Sequence, residues 1–203
     1  TNWIIQDTDS EMEGIWNYGF KIIDRCTRTI KGGKEILAKA DQLYLNEDDI
    51  ASAKSYISQC YAMKALANYY LVNLFAYPYQ DGINNLGLPL VKDEPIEAFA
   101  QIDRSTVGAT YSQITSDIEM AEQYAEESGI EPNEFYMGPM AIQALKARVY
   151  MSMGEYETAK TAALEAIELK GKGNGTGDDK EPTDEAYVSM WTSLAISSED
   201  LFT

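Results

Sequence analysis

The sequence predicts an all-α fold in which helical hairpins pack on one long central helix, with long irregular loops between them. Residues 47–75 contain neither Gly nor Pro, and their apolar residues recur at three- and four-residue steps. Residues 138–170 form two further apolar stretches joined at Gly154, and their many alanines would let two helices approach closely. We expect about five helices in a single domain of residues 1–203, at residues 10–40, 47–75, 105–127, 138–154 and 156–170.

The first predicted helix begins near Ser10, because Ser10 and Glu13 have the spacing of a capping box. The pair Gly32-Gly33 is expected to weaken or kink the end of this helix. The second helix would span roughly 43 Å at 1.5 Å per residue, which is long enough to serve as the spine of the fold.

The two predicted loops differ in composition. Residues 76–104 contain Pro78, Pro89 and Pro95 and show no helical period, apart from a short extended piece at Gly87–Val91. Connections longer than about 15 residues are uncommon in compact domains and are often functional. Residues 171–185 are polar and glycine-rich, which predicts a surface loop. This second loop lacks the central Gly and terminal Glu of a calcium-binding loop, so we predict no metal site there.

The charge and composition argue against several classes of partner and functional site. Sixteen basic against 33 acidic residues give a net charge of −17, which would repel nucleic acid, and the sequence predicts no membrane-spanning segment. The absence of histidine removes the commonest general base and metal ligand. We expect no cofactor.

Cys26 and Cys60 are expected on buried helix stripes as free thiols, although a disulfide remains open if the two helices pack in register.

The helices around Gly154 resemble a tetratricopeptide hairpin, and several other segments resemble the SusD/RagB family of glycan-binding outer-membrane lipoproteins. The resemblance includes the helix opened by Trp16, the sequence AMKALANYYLVNLFAYPYQDGINNLGLPLV, the helix opening at Arg104, the hairpin at Gly154, and residues 190–202. Lys64 and Gln59 stand where the family usually has Arg and Glu, so an ion pair expected of the family would be absent here.

The resemblance implies a non-catalytic function. The chain would correspond to a portion of a longer, surface-exposed lipoprotein anchored in the outer membrane. Such a protein would capture an oligosaccharide and deliver it to a SusC-like TonB-dependent transporter.

Candidate ligand-binding residues are the polar and aromatic side chains outside the helices, because flat rings stack on sugar faces while amides and carboxylates bind hydroxyl groups. They are Trp3, Tyr77, Tyr79, Gln80, Asp81, Asn84 and Asn85. The alternative for each is a packing role: Tyr77 and Tyr79 would fix the loop to the helix end, and Trp3 would cover a neighbouring groove.

Two other functions stay open from the residues alone. A glycoside hydrolase would need a pair of carboxylates at one cleft, for which Asp81 and Glu94 are the candidates in the first loop. A protein-interaction module could instead dock a transporter through a helical face without binding sugar. A free-standing array is disfavoured, because repeat scaffolds generally need about three or more units to bury a continuous core.

Overall fold

The structure is a computed structural model that describes residues 10–97, 100–130 and 135–173, the last four of these as backbone only. It confirms the all-α class, since one small two-stranded sheet accompanies the described helices. The helices are α1 (Ser10–Leu37), α2 (Glu47–Phe75), α3 (Tyr79–Gly82), α4 (Val107–Ser128), α5 (Pro139–Met153) and α6 (Tyr156–Gly173). The strands β1 (Leu86–Pro89) and β2 (Arg104–Thr106) are antiparallel. None of the described helices offers an apolar stretch long enough to cross a bilayer.

Helix α2 is the spine of the fold, with α1 and α4 packed along it. Asn46 begins α2 with a capping box: its side chain accepts a hydrogen bond from the Asp49 backbone, and the Asp49 carboxylate accepts one from the Asn46 backbone. Ile57, Tyr61 and Leu71 are each at most 2% exposed. Because α2 is covered on more than one side, most of its length belongs to the core rather than to an amphipathic surface.

The glycines of α1 allow close packing against α2, and the pair Gly32-Gly33, which was expected to weaken or kink the helix, does not end it. The helix continues through both residues to Leu37. A Cβ atom added to Gly33 would lie 2.8 Å from Ile57 Cγ1, and one added to Gly19 would lie 2.8 Å from Leu71 Cδ1. Both contacts are too short for a side chain, so these glycines set how closely α1 approaches α2.

The segment of residues 76–104 is more regular than the sequence predicts, because it contains both α3 and β1. Ser105, predicted to open a helix, lies in β2, and α4 begins only after Thr106, whose hydroxyl accepts a hydrogen bond from the Ala109 backbone at 3.1 Å. The predicted extended piece is present as β1. Short strand pairing of this kind depends on a partner distant in sequence and leaves little local periodicity.

Helices α5 and α6 pack on each other as the predicted hairpin, with Gly154 in the left-handed conformation at the turn (φ 81°). Helix α6 continues to Gly173, so the start of the predicted loop 171–185 is helical and its remainder lies outside the described residues. The segment of residues 190–202 also lies outside them.

A buried ion pair joins α2 to α4 through Lys64, with a partner that the sequence did not indicate. Lys64 Nζ lies 3.3 Å from Asp117 Oδ1, and the two side chains are 1% and 2% exposed. Lys64 Nζ also donates to the Lys92 backbone carbonyl at 2.7 Å, which fixes the returning loop. Gln59, at the position of the expected partner, instead donates to the Ser55 hydroxyl within α2.

Burial has the largest effect on the pKa of Asp117 in this pair. Desolvation raises the pKa of Asp117 to about 6, although Lys64 and a hydrogen bond from Gln113 both oppose that shift. Asp117 Oδ2 is buried without a hydrogen-bond partner among the described residues. One carboxylate oxygen of Asp117 therefore lacks a hydrogen bond, and the positive charge of Lys64 is the main interaction that offsets the cost of burying this group.

The two cysteines are free and half-buried, rather than fully buried as predicted. Interaction between the two thiols across the α1–α2 interface raises the pKa of Cys26 and lowers that of Cys60.

Replacing Lys64 by Met should lower the free energy of unfolding by about 3–5 kcal/mol at neutral pH, because Asp117 is left as a buried uncompensated charge. The double variant Lys64→Met/Asp117→Leu should recover most of this loss. The control is Lys54→Met, which removes the more exposed pair between Lys54 and Glu127 and should cost less than about 1 kcal/mol. Urea unfolding measures all three. A double variant no more stable than Lys64→Met would contradict this account of the pair.

The Lys64→Met loss should also depend on pH. In the wild type, the Asp117 pKa is raised from 3.8 to about 6, so the folded state binds this proton more tightly than the unfolded state does. The contribution of Asp117 to stability is therefore favourable below about pH 4 and is lost as the pH rises through about 6. Removing Lys64 should raise this pKa further. The destabilisation by Lys64→Met should thus be smaller at pH 5 than at pH 8, and a pH-independent difference in unfolding free energy would show that Asp117 does not carry it.

Candidate functional site

A cleft opens where α2 ends, and we call it the loop cleft. It has a volume of about 520 Å³. Its lining residues come from the C-terminus of α2, the turn after α3, and the two strands: Phe75, Ala76, Tyr77, Pro78, Asn85, Leu86 and Arg104. The cleft therefore lies at the junction of α2 with the long segment in which most of the candidate ligand-binding residues were predicted.

The N-terminus of α4 is hydrogen-bonded to the turn after α3, which forms part of the cleft lining. The backbone N–H groups of Val107 and Gly108 donate to the carbonyls of Asn85 (2.9 Å) and Ile83 (2.8 Å). The first N–H groups of a helix have no partner within it, so these two bonds satisfy the helix end and fix the turn after α3 together.

Arg104 holds the wall of the cleft, and the sequence did not single it out as a site residue. Its Nε donates to the Gly87 carbonyl at 2.6 Å, and its Nη2 donates to the carbonyls of Phe75 (2.9 Å) and Leu86 (3.3 Å). One guanidinium thus ties the end of α2 to β1. The available signal was its place at the end of a long loop, two residues before the capping residue Thr106.

Two of the predicted site residues meet in the cleft. Tyr77 is 62% exposed, and Asn85 faces it across Gly82. A Cβ atom added to Gly82 would lie 2.5 Å from Tyr77 Cβ and 2.8 Å from Asn85 Nδ2. The lack of a side chain at Gly82 therefore lets these two side chains come close to the same backbone position.

Tyr79 and Gln80 point away from the cleft into packing contacts. The Tyr79 ring is partly buried against the core, edge-on to Tyr111 with centroids 4.8 Å apart. Gln80 lies against the turn of the α5–α6 hairpin, because a Cβ atom added to Gly154 would lie 2.7 Å from its Nε2. For Tyr79 the structure shows the packing arrangement that the sequence left as an alternative.

The remaining predicted residues are not in the cleft lining. Asp81 and Asn84 are exposed on α3 and the turn after it. Trp3 lies outside the described residues. The loop cleft therefore contains Tyr77 and Asn85 from the predicted set, together with Phe75, Leu86 and Arg104 from outside it.

The chemistry of the cleft suits recognition of a neutral polar ligand with an apolar face. An exposed phenol ring offers a stacking surface, the Asn85 amide can donate and accept, and the Arg104 guanidinium can donate. The described lining includes no carboxylate. Of the two candidate carboxylates, Glu94 is 73% exposed and bonded to Lys31 of α1, and Asp81 is exposed on α3 outside the cleft lining. The carboxyl group with a raised pKa, Asp117, lies in the core rather than at this cleft.

A metal centre has no support in the described part of the chain, where no group of three or more carboxylate or thiol side chains is arranged to hold an ion.

Comparison with known proteins places the chain in a family. Residues 8–151 match the model of a SusD-like family described as starch-binding and associating with the outer membrane. A SusD superfamily protein of Bacteroides thetaiotaomicron is similar in structure, with a TM-score of 0.71 and 28% identity, over 92% of this chain and 37% of that one. A SusD superfamily protein of Bacteroides fragilis gives 0.67 and 25%, over 96% and 41%.

A laminarin-binding SusD-like protein has a TM-score of 0.59 and 20% identity, over 93% of this chain and 36% of that one, which shows a shared fold alone. No curated protein sequence matches the chain. The chain spans between 36% and 41% of the length of these three solved structures. Because the family model matches most of the sequence, the chain belongs to the SusD-like family.

Proposed function

We propose that this protein is a non-catalytic glycan-binding component of a nutrient-uptake system, and that the loop cleft contributes to its sugar site. The observation that carries the proposal is the exposed Tyr77 ring beside Asn85 and Arg104 in one cleft. A sugar ring would stack on Tyr77, while its hydroxyl groups would bond to the Asn85 amide and the Arg104 guanidinium.

The preferred glycans are neutral. A net charge of −17 disfavours polyanionic polysaccharides through long-range repulsion. The family description names starch, and one solved SusD-like protein binds laminarin; both are consistent with a neutral glucan as ligand here.

The transport step of the proposal rests on the family resemblance. The protein would be surface-exposed and lipid-anchored at the outer membrane, and it would pass its oligosaccharide to a SusC-like TonB-dependent transporter. The family description supports the association with the outer membrane.

A second candidate function, docking of a transporter without sugar binding, is favoured by an apolar groove between α1 and α2. The groove has a volume of about 530 Å³. Ile15, Tyr18, Ile22 and Tyr70 line it and are 39–69% exposed. Exposed apolar side chains grouped in this way often mark a protein interface. Copurification with the transporter that is lost in Tyr18→Ser, with no heat from any glycan, would favour this second function.

Replacing Tyr77 by Ala should weaken oligosaccharide binding about tenfold, because the stacking surface is lost. Isothermal titration calorimetry with maltoheptaose and laminarihexaose measures the affinity. Tyr56→Ala is a matched control, since Tyr56 lies on α2 with 61% exposure against 62% for Tyr77. Equal weakening in both variants, or an unchanged affinity in Tyr77→Ala, would contradict a sugar site at the loop cleft.

Replacing Gly82 by Ala should also weaken binding, by about tenfold, because the new methyl group forces Tyr77 and Asn85 apart. Gly14→Ala is the control, since a Cβ atom there meets nothing within 4 Å and the helix should gain about 0.5–1 kcal/mol. Calorimetry and thermal unfolding together separate the two effects. Unchanged sugar binding by a folded Gly82→Ala variant would show that this arrangement of the cleft is not needed.

A further inference from the structure

The first cysteine lies on the face of α1 that packs closely against α2. Cys26 is midway between Gly19 and Gly33, seven residues from each, so the three residues share one face of the helix. These are the glycines that set the approach of α1 to α2, because an added Cβ atom would lie 2.8 Å from a side-chain carbon of Leu71 or Ile57. Cys26 therefore lies in the middle of a glycine-lined helix interface.

The second cysteine lies on the facing part of α2. The two helices are antiparallel, because the later of the two glycines meets Ile57 and the earlier one meets Leu71. The part of α2 that faces Cys26 is therefore between Ile57 and Leu71, and Cys60 follows Ile57 by three residues, about one turn. A disulfide needs its two Cα atoms within about 7 Å of each other, a separation that small residues at a helix interface make possible.

The two thiols interact and differ in acidity. Interaction with Cys26 lowers the pKa of Cys60; burial opposes this shift, and the Thr29 hydroxyl reinforces it. Cys26 and Thr29 are one turn apart on α1, so Cys60 is approached by two neighbouring side chains of that helix. Interaction with Cys60 and desolvation raise the pKa of Cys26. Because the thiolate is the reactive form of cysteine, Cys60 is the nucleophile of the pair. Both residues are half-buried, so the pair is not sealed within the core.

We propose that Cys26 and Cys60 are a redox pair that an external disulfide oxidises to an interhelical disulfide, which covalently joins α1 to α2. The Cys60 thiolate attacks one sulfur of the external disulfide, breaks its S–S bond and releases a first thiolate, leaving a mixed disulfide. Cys26 then gives up its proton and attacks Cys60 Sγ, which releases the second thiolate. The two released thiolates take up the two protons, so the cysteines are oxidised while the external disulfide is reduced to two thiols.

This inference does not depend on sugar binding, because the lining of the loop cleft shares no residue with the cysteine pair. Proteins exported from the cytoplasm meet disulfide donors, so the outer-membrane location proposed above would supply the oxidant. The chemistry itself is tested with a small disulfide and needs neither the glycan nor the transporter.

Equilibration of the folded chain with mixtures of reduced and oxidised glutathione tests the proposal. The intact mass, measured under non-reducing and denaturing conditions, should fall by the hydrogens of both thiols, without a glutathione adduct. The thermal unfolding midpoint should rise by about 5–10 °C on oxidation. The proposal is overturned if both thiols persist in excess oxidised glutathione, if glutathione stays attached, or if the oxidised chain unfolds at the same or a lower temperature.

The variant Cys26→Ser, which has a single thiol, is the control for the stabilisation. It should keep glutathione on Cys60 as a mixed disulfide, and oxidation should not raise its unfolding temperature. A rise equal to that of the wild type would overturn the proposal, because the stabilisation would not come from a bond between the helices.

The neighbouring variants Gly33→Ala and Gly32→Ala are a matched pair that tests the geometry. A Cβ atom at Gly33 would lie 2.8 Å from Ile57 Cγ1 and push the helices apart, whereas one at Gly32 meets nothing within 4 Å. At a fixed glutathione ratio, the ratio of disulfide to dithiol should fall at least about fivefold in Gly33→Ala and stay within about twofold of the wild type in Gly32→Ala. Thermal unfolding of the reduced chains establishes that both are folded. Equal ratios in the two variants would overturn the proposal, because close helix packing would not be what brings the thiols together.

Discussion

The rest of the structure depends on how α2 and α4 are held together, and the buried contact between Lys64 and Asp117 is the most demanding part of that interface. A lysine and an aspartate that are almost fully buried need each other, because neither charge has water to solvate it. Apolar packing alone would tolerate small shifts of one helix along the other. The Ser58 hydroxyl bonded to the Ala121 carbonyl at 2.7 Å and the Lys64 ammonium bonded to Asp117 each require one particular alignment.

This alignment positions the loop cleft beside the C-terminus of α2 and the N-terminus of α4. Lys64 also binds the Lys92 carbonyl, so the chain returning from β1 is fixed to α2. The N-terminus of α4 then meets the turn after α3 through the carbonyls of Ile83 and Asn85, and Arg104 joins that region to the last residue of α2. The cleft is thus built from loop residues whose backbone groups are held by two rigid helices. Such an arrangement keeps an exposed side chain like Tyr77 in a defined place.

Periodicity in the sequence predicted the elements that are determined locally. The long helix α2 and the hairpin turn at Gly154 depend on residues close in sequence, and both are present. Contacts between distant residues were not predictable in the same way. The pairing of β1 with β2, the partner of Lys64 and the role of Arg104 all depend on which residues meet in space. Tyr77 and Tyr79 are two residues apart with the same chemistry, yet one lines the cleft and the other packs on Tyr111, which no pattern in the sequence separates.

Helices α2 and α4 form the most stable unit of the fold, while the α5–α6 hairpin is attached to it less extensively, through contacts such as the hydrogen bond between the Tyr69 and Ser152 hydroxyl groups. Native-state amide hydrogen exchange measured by NMR at increasing denaturant tests this claim most directly. The amides of α2 between Ile57 and Val72 and those of α4 between Ile114 and Ala121 should exchange only through global unfolding, and the hairpin should open at a lower free energy. Amides of α2 that exchange more readily than those of the hairpin would contradict the account.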